Sequence, residues 1–247
     1  IPAIAEAMET IRQNVIIFCY QFRSIRTGQR KLKTYISDVK SEMKQYSSLV
    51  EQIKEKSKER KSLLAEQKEL PFWNVPRKKE LTSRIAELTE LLEELQSEKA
   101  ILLHNMECTD GKDVSKVRKK VALMEANLKE LDEQEQKYSA ELETTLAEYA
   151  ELKTQGEQFD PVELYDARQA IRHEKEQNVI NRVQRAYGDK YNPLTMFDSK
   201  REASRLLLEY ADEQAVQKMK REQQQKIKPD FRRNQSTKEK RRVDWER

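Results

Sequence analysis

Few residues in this chain have types and spacings that could do chemistry. His104 and Cys108 stand four apart, with Asp110 and Asp113 close behind them. That set could touch a metal, but two nitrogen or sulfur ligands on one turn are too few for zinc. Asp110-Gly111-Lys112-Asp113 lacks the oxygen series of a calcium loop. The reading is a surface histidine and a turn cysteine. Glu93-Glu94 is read as part of a solvated helix face rather than as a working carboxylate pair. The chain has two histidines in all, no Gly-rich phosphate loop, no nucleophile elbow and no cysteine–histidine pair in a pocket-forming region. The expectation is a non-catalytic chain with no cofactor and no metal. Phe72 and Trp73 could form an aromatic platform for a base or a partner, or a plug over the end of a helix bundle; the plug is preferred, because aromatics beside helix starts commonly act as staples. From Lys226 to Arg247 nine basic residues face four acidic ones. Arg232, Arg233, Lys238, Lys240, Arg241 and Arg242 are the candidate nucleic-acid contacts, as phosphates are met by such clusters. The competing reading is a solvated terminus.

Helices must position all of these. From Leu81 to Leu152 apolar residues recur by steps of four and three, first at Leu81, Ile85, Leu88, Leu92, Leu95, Leu102 and Met106, then from Val114 through Val121, Leu128 and Leu142. Such spacing keeps a narrow stripe on one helix side, the seam of a coiled coil. The seven residues Glu107–Asp113 predict a turn, with Gly111 tolerating positive φ and Asp110 or Asp113 capping the next helix. The expectation is an antiparallel hairpin whose two seams face each other, packed as three helices with the latter part of the preceding helix. That first helix runs from Ile4 to Gln67 on the same spacing, with a possible kink at Gly28. Pro71 and Pro76 break it, and Asn74 is expected to cap the second helix. Asp160-Pro161-Val162-Glu163 predicts a fourth helix start, and Gly188 its stop near Tyr187. Ser199 with Glu202 predicts the start of a fifth helix carrying Ala203 to Met219. From Gln223 the pattern dissolves, and the basic tail reads as disordered.

The predicted fold class is therefore all-α, with long antiparallel coiled-coil helical hairpins, two further helices and a disordered basic tail. The expected divisions are 1–69 (N-terminal helix), 70–155 (hairpin), 156–222 (two amphipathic helices) and 223–247 (tail). Composition agrees: 37% of residues are charged, and only 4 glycines and 6 prolines punctuate 247 positions. A net charge of +4 is ordinary for helix surfaces laced with ion pairs and does not itself imply nucleic acid. The longest apolar run, Val15–Tyr20, is far short of the ~20 residues a membrane span needs. Two cysteines suggest no disulfide framework, so a reducing, cytoplasmic setting is expected. The chain starts at Ile1 without methionine or signal peptide, and is expected to be a piece of a longer protein.

Three phrases carry a resemblance: Lys78–Leu88 continuing through Leu92–Lys99, Phe159-Asp160-Pro161-Val162-Glu163-Leu164-Tyr165-Asp166-Ala167-Arg168, and Lys200–Leu207. In that order they resemble the C-terminal helical region of MobA/MobL-type mobilisation relaxases, over roughly residues 70–220. The resemblance implies an accessory region of a DNA-mobilisation protein, acting through protein and DNA contacts. Family members cut DNA with a histidine cluster and a tyrosine nucleophile in an N-terminal nuclease domain; this chain has no such cluster, and no catalytic residue is carried over. The alternative is a cytoplasmic coiled-coil spacer or adaptor with no nucleic-acid role.

If the hairpin covers only the latter part of the first helix, then Ile11, Val15, Phe18, Phe22, Ile25 and Leu32 are left as an open apolar stripe, widened by Ile16 and Ile17. A second copy, helices four and five folded back, or an upstream domain could cover it. Self-association through this stripe is the preferred expectation.

Overall fold

The computed structural model describes residues 1–243, with side chains described to Ile227. The described chain is all-α. Six helices follow one another: α1 (Pro2–Glu69), α2 (Val75–Asn105), α3 (Val114–Gly156), α4 (Pro161–Tyr187), α5 (Pro193–Leu206) and α6 (Glu209–Val243). None of the described helices is long and apolar enough to cross a membrane. The chain divides into two compact units, residues 28–132 and residues 1–27 with 133 onward, so α1 and α3 each contribute to both.

In the unit 28–132 the seams pair differently from the expected hairpin. Helix α2 runs antiparallel to the end of α1: Gln67 donates to Thr82 at 2.8 Å, Arg60 to Thr89 at 3.4 Å, and Arg84 bridges Glu59 at 3.0 Å. Leu49 of α1 packs with Leu95 and Leu102. Helix α3 runs antiparallel to an earlier part of α1: Ile36 and Val39 pack with Val121, Lys40 pairs with Glu125, and Gln29 donates to Asp132 at 2.8 Å. Lys40 and Arg60 are twenty residues apart on one helix, about 30 Å at 1.5 Å per residue. The two partners therefore lie on successive parts of α1, not on each other, and the α2–α3 hairpin and its three-helix packing do not occur. The loop between them is part of the same seam. Met106, Cys108 and Val114 are buried beside Met43, Tyr46 and Leu49. It is an in-line break: Met106 and Cys108 stay on α1, while Glu107 and residues 109–112 are exposed.

Local backbone explains the break. Glu107 adopts φ 57°, and it, rather than Gly111, takes the left-handed turn. Gly111 is there for space: a Cβ on it would meet the Tyr46 hydroxyl at 2.5 Å. Asp110 accepts from the Lys112 N–H at 2.7 Å, and Asp113 accepts from the Thr109 N–H and hydroxyl. Gly28 brings no break; α1 is helical through it. Asn74 precedes α2 without a side-chain capping bond. The aromatic plug is also overturned: Phe72 is 83% and Trp73 70% exposed, at the end of the α1–α2 pair.

In the other unit the first part of α1 packs with α3, α4 and α5. Val15, Ile16, Cys19 and Tyr20 are buried with Tyr149, Val179, Val183, Met196, Ala203 and Leu207. Asp160 caps α4, accepting from the N–H groups of Val162 and Glu163, and Gly188 ends it at φ 51°. The fifth helix starts earlier than expected. Asn192 caps it with Pro193 behind, while Ser199 is buried inside and donates to the Thr195 carbonyl. It also stops earlier, because Leu208 takes φ 56° and divides the expected single helix into α5 and α6. The backbone of α6 continues helically past Gln223 to Val243, where the sequence pattern gave only a tail.

A cross-linking experiment separates the two topologies. Cysteines at Lys40 and Glu125 should form a disulfide under mild oxidation, and cysteines at Glu94 and Glu125 should not; the reverse result would restore the hairpin. The native Cys19 and Cys108 are both buried and should not compete.

Candidate functional site

The most concentrated chemistry lies among residues the sequence reading passed over. Glu9 and Arg12 sit on α1, Arg168 and Arg172 one turn apart on α4, and Glu209 on the first turn of α6. Glu9 is 1% exposed, and Arg12, Arg168 and Glu209 are buried with it. Arg168 donates to Glu9 at 2.9 Å, to the Tyr149 hydroxyl at 2.9 Å and to Glu209 at 3.2 Å. Arg172 bridges the same two carboxylates, at 2.9 Å and 2.7 Å. Arg12 reaches Glu209 at 3.3 Å, and Ser204 donates to it at 2.9 Å. At the edge, Arg12 lies 3.7 Å from Glu176, which also pairs with Lys200.

Each helix presents these groups for a local reason. Glu9 and Arg12 are three apart and share a helix side, as do Arg168 and Arg172, four apart. Glu209 is held in place because Leu208 ends α5 and restarts the chain as α6. Its carboxylate also sits at that helix's N-terminus, where the backbone dipole favours negative charge. Burial pushes the Glu209 carboxyl up, but Arg172, Arg12, the Ser204 hydroxyl and Arg168 outweigh it and hold it below the usual carboxylate range. Burial likewise opposes the charge of Arg172, and the Glu9 hydrogen bonds and Glu209 reverse this and raise it. Burial pushes the Tyr149 phenol up to about 12, so it stays neutral and accepts from Arg168. Such an arrangement holds charges still. Its donors and acceptors are spent on one another.

Beside the network an apolar groove of about 190 Å³ opens between the end of α3, the start of α4 and α6. Met8, Phe159, Leu164, Val216 and Met219 give it its apolar walls, Arg168 reaches it from the network, and Glu157 and Asp212 stand at it. Asp212 pairs with Lys153 at 3.0 Å.

The residues singled out from sequence fare differently. Val15, Phe22 and Ile25 are buried within the chain, and Ile11, Phe18 and Leu32 are half-buried. Val179, Val183, Met196 and Leu207 pack on the first part of α1 together with Tyr149, Leu142 and Leu146 of α3; Phe18 meets the Tyr138 ring, and Leu32 packs beside Val121 and Leu128. The open stripe expected there does not exist: the chain folds back over these residues, and they offer no exposed apolar face for the expected self-association. Arg232, Arg233, Lys238, Lys240, Arg241 and Arg242 have side chains outside the described residues, although their backbone belongs to α6. Among the described residues no three His, Cys, Asp or Glu side chains come together to hold a metal. Asp113 is engaged by the Thr109 hydroxyl, Lys116 and the Thr109 N–H, which hold its carboxyl well below the usual range. Burial and the nearby Asp113 and Asp110 push the Cys108 thiol up. Glu93 and Glu94 are exposed.

The network had a signal in the sequence. Glu9 and Arg12 stand just ahead of the most apolar run of α1, and Glu209 directly follows Leu206-Leu207-Leu208. A charge inside an apolar run needs a buried partner. No family model, no curated protein and no solved structure matches this chain.

Two outcomes follow from the network. Glu9→Leu leaves buried Arg168 and half-buried Arg172 short of their carboxylate and should destabilise its unit by about 3–5 kcal/mol, whereas Glu6→Leu, which removes only a surface bridge to Lys175, should leave the melting curve unchanged. Glu209 has a depressed folded pKa, so its stabilisation is present above the ordinary carboxylate range and is lost as pH falls through the folded value. Melting temperature should therefore fall in acid, and Glu209→Gln, less stable at neutral pH, should show a shallower acid loss. Equal slopes for both chains would remove Glu209 as the group responsible.

Proposed function

We propose that this chain is a helical spacer and adaptor that acts by holding partners rather than by chemistry. One observation carries the reading: the unit 28–132 is a long two-helix coil, and it ends in exposed aromatic residues. Its polar side chains are spent across the seam, as in Arg77–Glu66 at 2.8 Å and Arg84–Glu59 at 3.0 Å, which fixes register. The tip residues Phe72, Trp73 and Val75 are 83%, 70% and 62% exposed, more than a fold requires of three large apolar side chains in four positions. The buried ion network supports the same reading, because groups locked to each other serve position. A spacer needs stiffness, and exposed aromatics at its end suit a partner contact, where Trp and Tyr commonly dominate binding.

The second reading is the accessory region of a DNA-mobilisation protein. The basic cluster from Arg232 to Arg242 favours it, with the Phe159–Arg168 phrase that carries the resemblance. The two readings are compatible: a spacer can carry a nucleic-acid contact at one end.

Spin labels at Asn74 and Glu130 measure the coil directly. Forty residues of α1 separate their levels, so a rigid coil gives a narrow distance distribution near about 60 Å. A broad or much shorter distribution would remove the spacer reading. For the second reading, the complete chain and one ending at Lys226 are compared on duplex DNA. Binding that falls steeply with salt and disappears on truncation supports it; equal binding by both chains, or none, removes it.

A further inference from the structure

We propose that copies of this chain associate by seating the Phe72–Trp73 tip of one copy in the apolar groove of a second. The proposal deepens the adaptor reading by naming its partner. Two separate features point to it. The tip is convex and apolar: Phe72 and Trp73 lie edge to face with centroids 5.0 Å apart, Val75 is exposed beside them, and Pro71 and Pro76 restrict the backbone on either side. The groove is concave and apolar, walled by Met8, Phe159, Leu164, Val216 and Met219. Its volume of about 190 Å³ exceeds the roughly 150 Å³ of an apolar cavity that accepts benzene. One aromatic side chain fits it.

Charge complements shape. Exposed Lys68, Lys78 and Lys79 lie within about one helical turn of the tip with exposed Glu69 among them, while Arg77 is taken by Glu66 and Glu80. At the groove's lining Asp212 is taken by Lys153, which lines it too, and Glu157 remains, with exposed Asp160 and Glu163 following in the chain beside Pro161. A lysine collar thus meets an acidic rim. A nucleic acid suits the tip less well, because rings at 79° to each other do not offer the parallel faces between which bases stack. An acidic lipid surface would accept lysines and aromatics but leaves the groove unexplained.

The contact is heterologous, tip on groove, so each half can be disabled in a different copy. It is also small. Two aromatic side chains and their surroundings fall below the ~1,000 Å² of a stable interface, so association is weak and reversible.

Sedimentation of the full chain into the high micromolar range should show reversible, salt-weakened association. Trp73→Ala should weaken it about tenfold or more, as truncation of a central aromatic does. Ala215→Trp, which fills the groove from an exposed position, should weaken it comparably. Melting curves check that both variants are folded, and Glu157→Lys is the second groove variant should Ala215→Trp disturb α6. A mixture of the Trp73→Ala and Ala215→Trp chains should regain association as one-to-one pairs, because the first keeps its groove and the second its tip. The proposal is overturned if the unmodified chain stays monomeric, if either half can be disabled without effect, or if the mixture does not associate. In a Trp245→Phe background, Trp73 emission that shifts on phosphatidylserine vesicles or an oligonucleotide but not with chain concentration also overturns it, and names that other occupant. None of these failures touches the distance across the coil, which tests the spacer reading alone.

Discussion

The unit built from both ends of the chain depends on two carboxylates shared by three guanidinium groups. Glu9 is almost fully buried, and an ionised carboxylate in that place is costly unless charge and hydrogen bonds surround it. Arg168 and Arg172 supply both, and carry the requirement on to Glu209. A guanidinium has five N–H groups in a fixed plane and cannot shed its charge, so it constrains direction as well as distance. That is why this pairing fixes three helices that are remote in sequence. Hydrophobic contact alone would let α1, α4 and α6 slide; the shared carboxylates leave one register. Buried ion pairs need not add net stability over a well-packed apolar alternative. Their effect here is to make every other arrangement of these helices worse.

The coil of the second unit is specified by weaker means. Its buried leucines and valines supply attraction that is indifferent to register, since a seam of steps four and three fits any similar seam. Polar pairs across it break the tie. Gln67–Thr82, Arg60–Thr89 and Gln29–Asp132 are each satisfied in one register only. The in-line break at residues 106–113 does the same over a longer range. Tyr46 is pressed against Gly111, and Met106, Cys108 and Val114 close over Leu49. Shifting α3 along α1 would expose these residues and leave the Tyr46 ring without its niche.

Periodicity showed which residues would be buried, but not against what. Leu81, Leu88, Leu92, Leu95, Leu102 and Val121 were all legible as seam positions, and all are buried. The partner was not, because α1, α2 and α3 carry the same spacing and both connecting loops are short. The loops held no discriminating sign: of residues 106–113 only Met106 and Cys108 are apolar, and the turn that does reverse the chain carries exposed Phe72 and Trp73. Helix ends were legible where a proline or glycine fixed them, at Asp160–Pro161 and Gly188. They were missed where Asn192, not Ser199, caps α5 and where a leucine takes positive φ. Leu208 has no chemical preference for that conformation. Tertiary contacts around it, Leu207 buried on one side and Glu209 in its network on the other, impose the turn. The buried charges were passed over for a related reason. Arg168 and Arg172 look like a solvated basic face until Glu9 and Glu209, over 150 and about 40 positions away, are placed beside them.

These two modes of specification divide the work of the protein. Where several helices meet, charges that tolerate only one geometry hold them, and they leave an apolar groove at their edge. Where two helices run side by side, the seam gives length and stiffness, and its end is free to carry side chains that contribute nothing to the fold. Phe72 and Trp73 are such side chains: neither belongs to an apolar cluster, and their ring contact is with each other. Large aromatics kept in water at a proline-bounded tip do not serve the folded state of their own unit.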